Sequence, residues 1–128
     1  MKSQEERQRL NAVTKAALAC AFRVSNTLGH GFLEKVYENA LAIELTECGL
    51  GVVQQPHVEV RYRDQVVGDY CPDLIVDGVV LEVKAAGGLE EAHIQQCLNY
   101  LRATDLCVGL VLNFGRARVQ YHRVVWEF

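Results

Sequence analysis

Apolar side chains recur every three or four residues over the first part of the chain. They are Leu10, Val13, Ala17, Cys20, Ala21, Val24 and Leu28. This spacing puts side chains on one face of an α-helix, so it predicts a first amphipathic helix that stops at Gly29-His30-Gly31. A second helix is predicted from about Phe32 to Cys48. Gly49 and Gly51 end it, as glycine commonly does at helix C-termini.

The middle of the chain alternates between apolar and polar residues, which is the period of a β-strand. A first strand is predicted over residues 58–62, followed by a turn over 63–65. A second strand is predicted from Val66 to Val76 and a third from Val79 to Ala85. Asp77-Gly78 joins them and is the strongest hairpin signal in the chain, because a type I′ turn needs positive φ at both central residues.

The last third of the chain predicts one helix and two strands. The helix runs from Glu90 to about Thr104, a nearly all-apolar strand from Cys107 to Leu112, and a final strand from Val119 to Val125. The element order is therefore α-α-β-β-β-α-β-β. A helix crossing between the third and fourth strands makes those two parallel, so we expect an α/β fold with a mixed sheet flanked by helices.

Composition favours one globular domain over residues 1–128, since domains usually have about 100–150 residues and half of this chain is hydrophobic. A charged N-terminus and the lack of a long apolar run predict a cytoplasmic protein with no membrane partner. The net charge of −3 argues against bulk polyanion binding. The five cysteines form no CxxC pair, which indicates small core residues rather than a zinc site or disulfides.

Two carboxylates are brought together if Asp77-Gly78 is a two-residue loop. Asp73 then faces Glu82, Cys71 faces Lys84, and Asp73, Glu82 and Lys84 share one face of the hairpin. Opposed carboxylates repel unless a cation lies between them, and Mg²⁺ is held by one or two carboxylates. Alternatively, these charges lie on a solvated face, although the flanking segments are strongly apolar.

Two helices add polar residues to apolar faces. On a helical wheel Glu34 aligns with Leu41 and Leu45, so it needs a metal or a buried Arg or Lys partner, as does Glu44. His93, Gln96 and Tyr100 form a stripe on the third predicted helix. Such a stripe is more typical of a hydrogen-bonding face than of a site, and His93 lacks the second ligand at i+4 that zinc would need.

Four segments together resemble a known family. They are Gly31-Phe-Leu-Glu34-Lys-Val-Tyr37, Pro72-Asp73 with Glu82-Val83-Lys84, Gln96-x-x-x-Tyr100, and Gly109-Leu-Val-Leu-Asn113-Phe-Gly115. In this order they resemble the GxxExxY family, which belongs to the PD-(D/E)XK nuclease superfamily. The resemblance covers the chain from about Leu28 to Arg123 and implies a restriction-endonuclease-like core.

The resemblance also implies roles for individual residues. Asp73 and Glu82 would hold Mg²⁺ or Mn²⁺ with the Val83 carbonyl, and Lys84 would orient or activate a water. Glu34 would complete the acidic site, while Gln96 and Tyr100 would position nucleic acid or the site itself. The implied activity is a metal-dependent endo- or exonuclease, with DNA favoured over RNA as substrate.

Phosphate contacts need a basic surface, and Arg116, Arg118 and Arg123 predict a basic strand that Lys84 and Arg102 extend. The alternative for these arginines is a solvated edge strand protected by charge. For the whole chain, the alternative is a non-catalytic domain that keeps the nuclease scaffold as a binding or regulatory partner. A homodimer is expected, because two-fold symmetry suits a duplex and the domain is small.

Overall fold

The computed structural model describes residues 2–128, which form three helices and seven strands. The elements are α1 (Gln4–Leu28), α2 (Glu34–Glu47), β1 (Val52–Gln54), β2 (Val58–Tyr62), β3 (Gln65–Tyr70), β4 (Leu74–Val76), β5 (Val79–Lys84), α3 (Glu91–Thr104), β6 (Val108–Asn113) and β7 (Gln120–Val125). None of these helices carries an apolar stretch in residues 2–128 that could cross a bilayer.

Five strands form one mixed sheet in the order β1-β4-β5-β6-β7. Strands β5 and β6 are parallel and joined through α3, whereas every other neighbouring pair is antiparallel. The predicted α/β class, with a mixed sheet flanked by helices, is confirmed. Strands β2 and β3 lie outside this sheet and pair only with each other, in a two-stranded ribbon.

The strand predicted from Val66 to Val76 is wrong in its extent. It is two strands in two different sheets, β3 in the ribbon and β4 in the main sheet, separated by Cys71-Pro72-Asp73. Pro72 is buried and has no N–H to donate, so a continuous ladder is interrupted there. The prediction also missed β1, whose three residues are too few to show a period.

Helices cover both faces of the main sheet. Helices α1 and α2 pack on one face, where alternate β5 residues Val79, Leu81 and Val83 enter a large apolar cluster. Val80, between them in sequence, joins Cys97 and Leu101 of α3 in a second cluster on the opposite face. Because strand side chains alternate, Glu82 and Lys84 belong to the α3 face.

Both hairpin turns use backbone conformations with positive φ. Asp77 and Gly78 have φ of 45° and 87°, which confirms the predicted Asp77-Gly78 turn between β4 and β5. Arg63 and Asp64, at 51° and 63°, turn the chain between β2 and β3. The β4–β5 register pairs Leu74 with Leu81 and Val76 with Val79, the alignment predicted for a two-residue loop.

The cysteines are free thiols, and three of them lie in the core as predicted. Cys20, Cys97 and Cys107 are buried, Cys71 is half-buried and Cys48 is exposed. The Sγ atoms of Cys20 and Cys48 are 3.7 Å apart, and the Arg23 guanidinium donates to both. Arg23 also pairs with Glu44 at 3.2 Å. Glu44 therefore has the Arg partner that the sequence analysis gave as one alternative.

Candidate active site

A carboxylate pair lies where β4 begins and β5 nears its end. Asp73 immediately precedes β4, and the β4–β5 register continued by one residue places it opposite Glu82. Asp73 Oδ2 accepts a hydrogen bond of 2.7 Å from the Val83 N–H. The hairpin therefore brings the two predicted acids together and orients one of them through the backbone of the strand that carries the other.

Glu82 is a buried acid with one carboxyl oxygen that lacks a hydrogen-bond partner in residues 2–128. Its residue is 3 % exposed, and within residues 2–128 its Oε1 has no hydrogen-bond partner. Burial, followed by repulsion from Asp73, raises the pKa of Glu82 to about 9. Burial also raises the pKa of Asp73, and the Val83 N–H offsets part of that rise.

These properties fit a hard divalent cation. An orphaned carboxylate oxygen beside a second carboxylate supplies the oxygen ligands that Mg²⁺ prefers, and Mg²⁺ commonly uses only one or two protein carboxylates. Residues 2–128 contain no group of three or more His, Cys, Asp or Glu side chains arranged for a metal. Any cation here would depend on Asp73 and Glu82, with remaining ligands from backbone, water or substrate.

Lys84 is held beside the carboxylates by α3. Its Nζ donates to Gln96 Oε1 at 3.0 Å, and Gln96 Nε2 donates to the Tyr100 hydroxyl at 3.3 Å. Burial and then the nearby charges of Glu82 and Asp73 raise the pKa of Tyr100 to about 12, which places its hydroxyl close to both acids. Gln96 and Tyr100 are thus brought to the same place as the predicted acidic residues.

His93 does not join this group. It is the third residue of α3; its Nδ1 accepts the Glu90 backbone N–H at 3.1 Å, and its own N–H donates to the Glu90 carbonyl at 3.0 Å. This reciprocal capping satisfies backbone donors that would otherwise be free at the helix start. The polar stripe therefore divides into a helix cap, His93, and a pair directed toward the carboxylates, Gln96 and Tyr100.

Glu34 is not on the buried face of α2 as the helical wheel predicts. It is the exposed first residue of the helix, where the helix dipole favours a negative charge without burial. Its Oε2 accepts from the Ala85 N–H at 3.4 Å, one residue beyond Lys84. The structure thus places Glu34 at the end of β5, in contact with the backbone rather than with Asp73 or Glu82.

The buried acid of α2 is Glu38, which the sequence analysis missed. Glu38 is 4 % exposed and accepts hydrogen bonds from Gln55 Nε2 at 2.9 Å and from Lys35 Nζ at 2.9 Å. Gln55 Nε2 also lies 3.4 Å from Asp73 Oδ1, linking the two acids. A signal was available, because Glu38 precedes the buried Leu41 and Leu45 by three and seven residues.

Asn113 and Gly115 fix the chain segment that follows Lys84. The buried Asn113 side chain accepts the Ala86 N–H at 2.9 Å and donates to the Ala86 carbonyl at 3.0 Å. At Gly115 a Cβ atom would overlap the backbone of Ala86, so only glycine permits this close approach. These residues position the end of β5, and sequence reasoning had assigned them only to a motif.

The three arginines of the predicted basic strand do not lie on one strand. Arg116 and Arg118 lie exposed in the loop between β6 and β7, not in a strand, and Arg116 donates to the Gly87 carbonyl at 3.4 Å. Arg123 lies in the edge strand β7, donates to Asn11 at 2.7 Å and stacks on Phe128. Arg116 thus contacts the segment after β5, whereas Arg123 contacts α1 and the C-terminal Phe128.

Comparison with known families gives one match. A family model described as the PD-(D/E)XK nuclease superfamily matches residues 11–124, which include every candidate site residue discussed above. No curated protein and no solved structure matches the chain.

Proposed function

Because the chain belongs to the PD-(D/E)XK nuclease superfamily, whose members are generally nucleases that use divalent metals such as Mg²⁺, we propose that it is a Mg²⁺- or Mn²⁺-dependent nuclease that hydrolyses DNA. The observation that carries this proposal is the orphaned, buried Oε1 of Glu82 opposite Asp73. A buried pair of like charges destabilises a fold, so its presence favours a role that needs a cation.

We propose the GxxExxY family as the branch of the superfamily. Its two named motif residues other than the acid have structural roles here: Gly31 takes φ of 114°, and the buried Tyr37 hydroxyl donates to the Gly29 carbonyl at 2.7 Å. The same hydroxyl accepts the Phe32 N–H at 3.2 Å. Gly31 and Tyr37 thus hold the loop that leads into Glu34. This supports the proposal that the three motif residues act together to position that acid.

Each site residue has a proposed part in phosphodiester hydrolysis. When bound, a divalent cation neutralises charge on the phosphate and makes water more acidic. Asp73 and Glu82 are its proposed side-chain ligands, with the Val83 carbonyl. Glu34, which accepts from the Ala85 N–H, is proposed to act on the site from the end of β5 without being a ligand. Lys84, which donates to Gln96, is proposed to orient the attacking water and to attract the phosphate. Arg116, beside Gly87, is a candidate for a further phosphate contact, and Arg118 for a more distant one.

Cleavage assays test the proposal directly. The protein is incubated with single- and double-stranded DNA and RNA in Mg²⁺, Mn²⁺ or EDTA, together with the variant Asp73→Asn and the control Asp64→Asn in the exposed β2–β3 turn. We expect metal-dependent cleavage that EDTA and Asp73→Asn abolish and Asp64→Asn preserves. No cleavage by the wild type in either metal, together with a melting temperature that neither metal changes, would favour the non-catalytic domain.

Two expectations about the whole chain stay predictions. We propose that residues 1–128 form one domain and that the protein is a homodimer. A single cooperative transition on heating is expected for the domain, and light scattering measures the mass of the particle. A monomer at all concentrations would contradict the dimer without affecting the proposed chemistry.

A further inference from the structure

A groove of about 830 Å³ separates the β2–β3 ribbon from α3. The ribbon contributes Arg61 and Tyr70, and the helix contributes Gln96, Asn99, Tyr100 and Arg102. The ribbon is not part of the main sheet. The space between it and α3 is therefore a groove rather than a continuation of the core.

The groove shares two residues with the surroundings of the carboxylate pair. Gln96 and Tyr100 line it; Gln96 accepts from Lys84 Nζ at 3.0 Å and donates to the Tyr100 hydroxyl at 3.3 Å. Tyr100 also lies close enough to Glu82 and Asp73 for their charges to affect it. A molecule lying in the groove would therefore contact the side chains that hold the proposed catalytic lysine.

Aromatic rings in the groove offer stacking surfaces. Tyr70 packs edge to face against Tyr100, with ring centroids 6.2 Å apart, and Tyr70 remains 54 % exposed. An edge-to-face pair leaves one ring face free, and nucleic-acid bases stack on such faces with little dependence on sequence. The rings thus suit an unpaired base, whose own face is exposed.

The charged residues of the groove favour a phosphate. Arg61 pairs with Glu59 at 3.3 Å, so these two charges offset each other. Arg102 is exposed and forms no ion pair within residues 2–128, which leaves one uncompensated positive charge at the groove. Arg102 is therefore available for a phosphate even though the whole chain is acidic.

We propose that this groove binds single-stranded nucleic acid and leads the strand to Asp73 and Glu82, a substrate preference that rests on the nuclease function proposed above. Glu82 is 3 % exposed on the sheet face covered by α3, so a scissile phosphate must enter a recess. In a duplex the bases are paired and stacked on each other, so none is free to stack on Tyr70. A single strand can follow the groove and place bases on Tyr70.

Binding without cleavage tests the groove. Fluorescent oligo-dT, oligo-U and a duplex of similar length are titrated with the protein in EDTA at low salt. The variants are Tyr70→Ala and Arg102→Ala. Their controls are Tyr121→Ala, a tyrosine 51 % exposed and also in one edge-to-face pair, and Lys15→Ala, which removes one exposed positive charge on α1. Melting temperatures check that each variant folds, and exposed Arg102 keeps the test decisive if Tyr70→Ala unfolds the ribbon.

We expect each single strand to bind more tightly than the duplex. Tyr70→Ala should weaken single-strand binding by at least about fivefold, as loss of base stacking does, and Tyr121→Ala by less than about twofold. Arg102→Ala should lower the salt dependence by about one phosphate contact, unlike Lys15→Ala. If the groove variants weaken the binding of oligo-dT and of oligo-U equally, the groove recognises features that the two polymers share. If they weaken the binding of only one, that polymer is the ligand.

The outcome separates this proposal from the nuclease function. Tighter duplex binding, or groove variants no weaker than their controls, would overturn the groove while leaving metal-dependent cleavage intact. Conversely, single-strand binding that depends on Tyr70 and Arg102, without cleavage in Mg²⁺ or Mn²⁺, would support the groove and contradict the proposed catalysis.

Discussion

Asp73 and Glu82 are two acids of the candidate site whose ionised forms the fold disfavours. Burial raises the pKa of both carboxyl groups, and repulsion from Asp73 raises the pKa of Glu82 further. A proton or a cation can relieve this repulsion. Stability and function therefore oppose each other at these two residues, and their effects on stability, metal affinity and cleavage can be measured separately in three experiments.

The first concerns pH. Folded Glu82 keeps its proton up to a pKa of about 9, whereas the ordinary value is 4.5, so the folded state binds more protons between these values. The contribution of Glu82 to stability in EDTA should be fully present below pH 4.5 and should be lost as the pH rises through about 9. Thermal melts of the wild type and Glu82→Gln across this range check it. The wild type should lose melting temperature relative to Glu82→Gln, while exposed Glu47→Gln follows the wild type.

The second concerns Asp73→Asn. The variant keeps a side-chain oxygen for the Val83 N–H but removes one negative ligand, so metal affinity should fall by at least about tenfold. Without metal, and above pH 9 where Glu82 is ionised, its melting temperature should equal or slightly exceed that of the wild type, because repulsion with Glu82 is relieved. Calorimetric metal titration and thermal melts measure the two effects. An unfolded variant, in a protein whose melting temperature no metal affects, would make the carboxylates structural.

The third concerns Lys84→Ala. The Lys84 charge contacts Gln96 Oε1 and is proposed to act on water and phosphate, so its removal should slow cleavage by at least about a hundredfold. Metal affinity should change little, since lysine is not a cation ligand. Single-turnover rates and metal titrations separate the two effects. A parallel loss of metal affinity would contradict the assigned role.

Among the elements, the carboxyl ends of β5 and β6 define the site. These strands are parallel and pair Lys84 with Asn113, so the segments that follow β5 and β6 leave the sheet side by side. Phe114 N–H donates to the Lys84 carbonyl at 2.8 Å, and Asn113 fastens Ala86. The segment after β5 is therefore held by the segment after β6, which positions Lys84 and the Ala85 N–H that Glu34 contacts.

Gly115→Ala tests this contact between the segments that follow β5 and β6, which is called the brace below. Its methyl group would overlap the Ala86 backbone, so the two segments must separate, and overpacking of this kind costs about 1–3 kcal/mol. Urea unfolding should show that loss, and cleavage should fall with it because Lys84 is displaced. Gly88→Ala is the control, since a Cβ at Gly88 meets nothing within 4 Å. Equal stability of the two variants would contradict the brace.

The whole molecule places its candidate site between two apolar clusters. The large cluster joins α1 and α2 to one face of the sheet, and the smaller cluster joins α3 to the other. Glu82 extends from the shared strand β5 into the α3 side, so the two-layered core holds a polar group at its edge. A ligand that binds only this arrangement must stabilise the entire fold.

Metal addition should therefore raise the melting temperature of the protein. Binding only to the folded state contributes about 2.7 kcal/mol when the free metal is a hundred times its Kd. Mn²⁺ titrations followed by differential scanning fluorimetry measure this for the wild type, with Asp73→Asn showing a smaller rise and Asp64→Asn an equal one. A rise that Asp73→Asn retains in full would locate the metal elsewhere.

Local chemistry was sufficient to predict the hairpin that carries the acids. Asp77-Gly78 accepts positive φ at both positions, and a two-residue loop leaves one alignment of its strands, so Asp73 and Glu82 are opposed in advance of any packing. The parallel pairing of β5 and β6 followed from the intervening helix. Such features depend on neighbours in sequence or on chain connectivity, and both are visible in the sequence.

Contacts between segments that are distant in sequence were decided only by how the chain packs. Periodicity shows that α2 has an apolar side, but packing against the sheet determines that Glu38 is buried and Glu34 is exposed. Likewise, Gln55 reaches Asp73 because the three residues of β1 pair with β4, a pairing too short to leave a pattern. The groove beside α3 arises because the β2–β3 ribbon leaves the sheet at Pro72, and the position of that ribbon depends on tertiary contacts rather than on its own alternation.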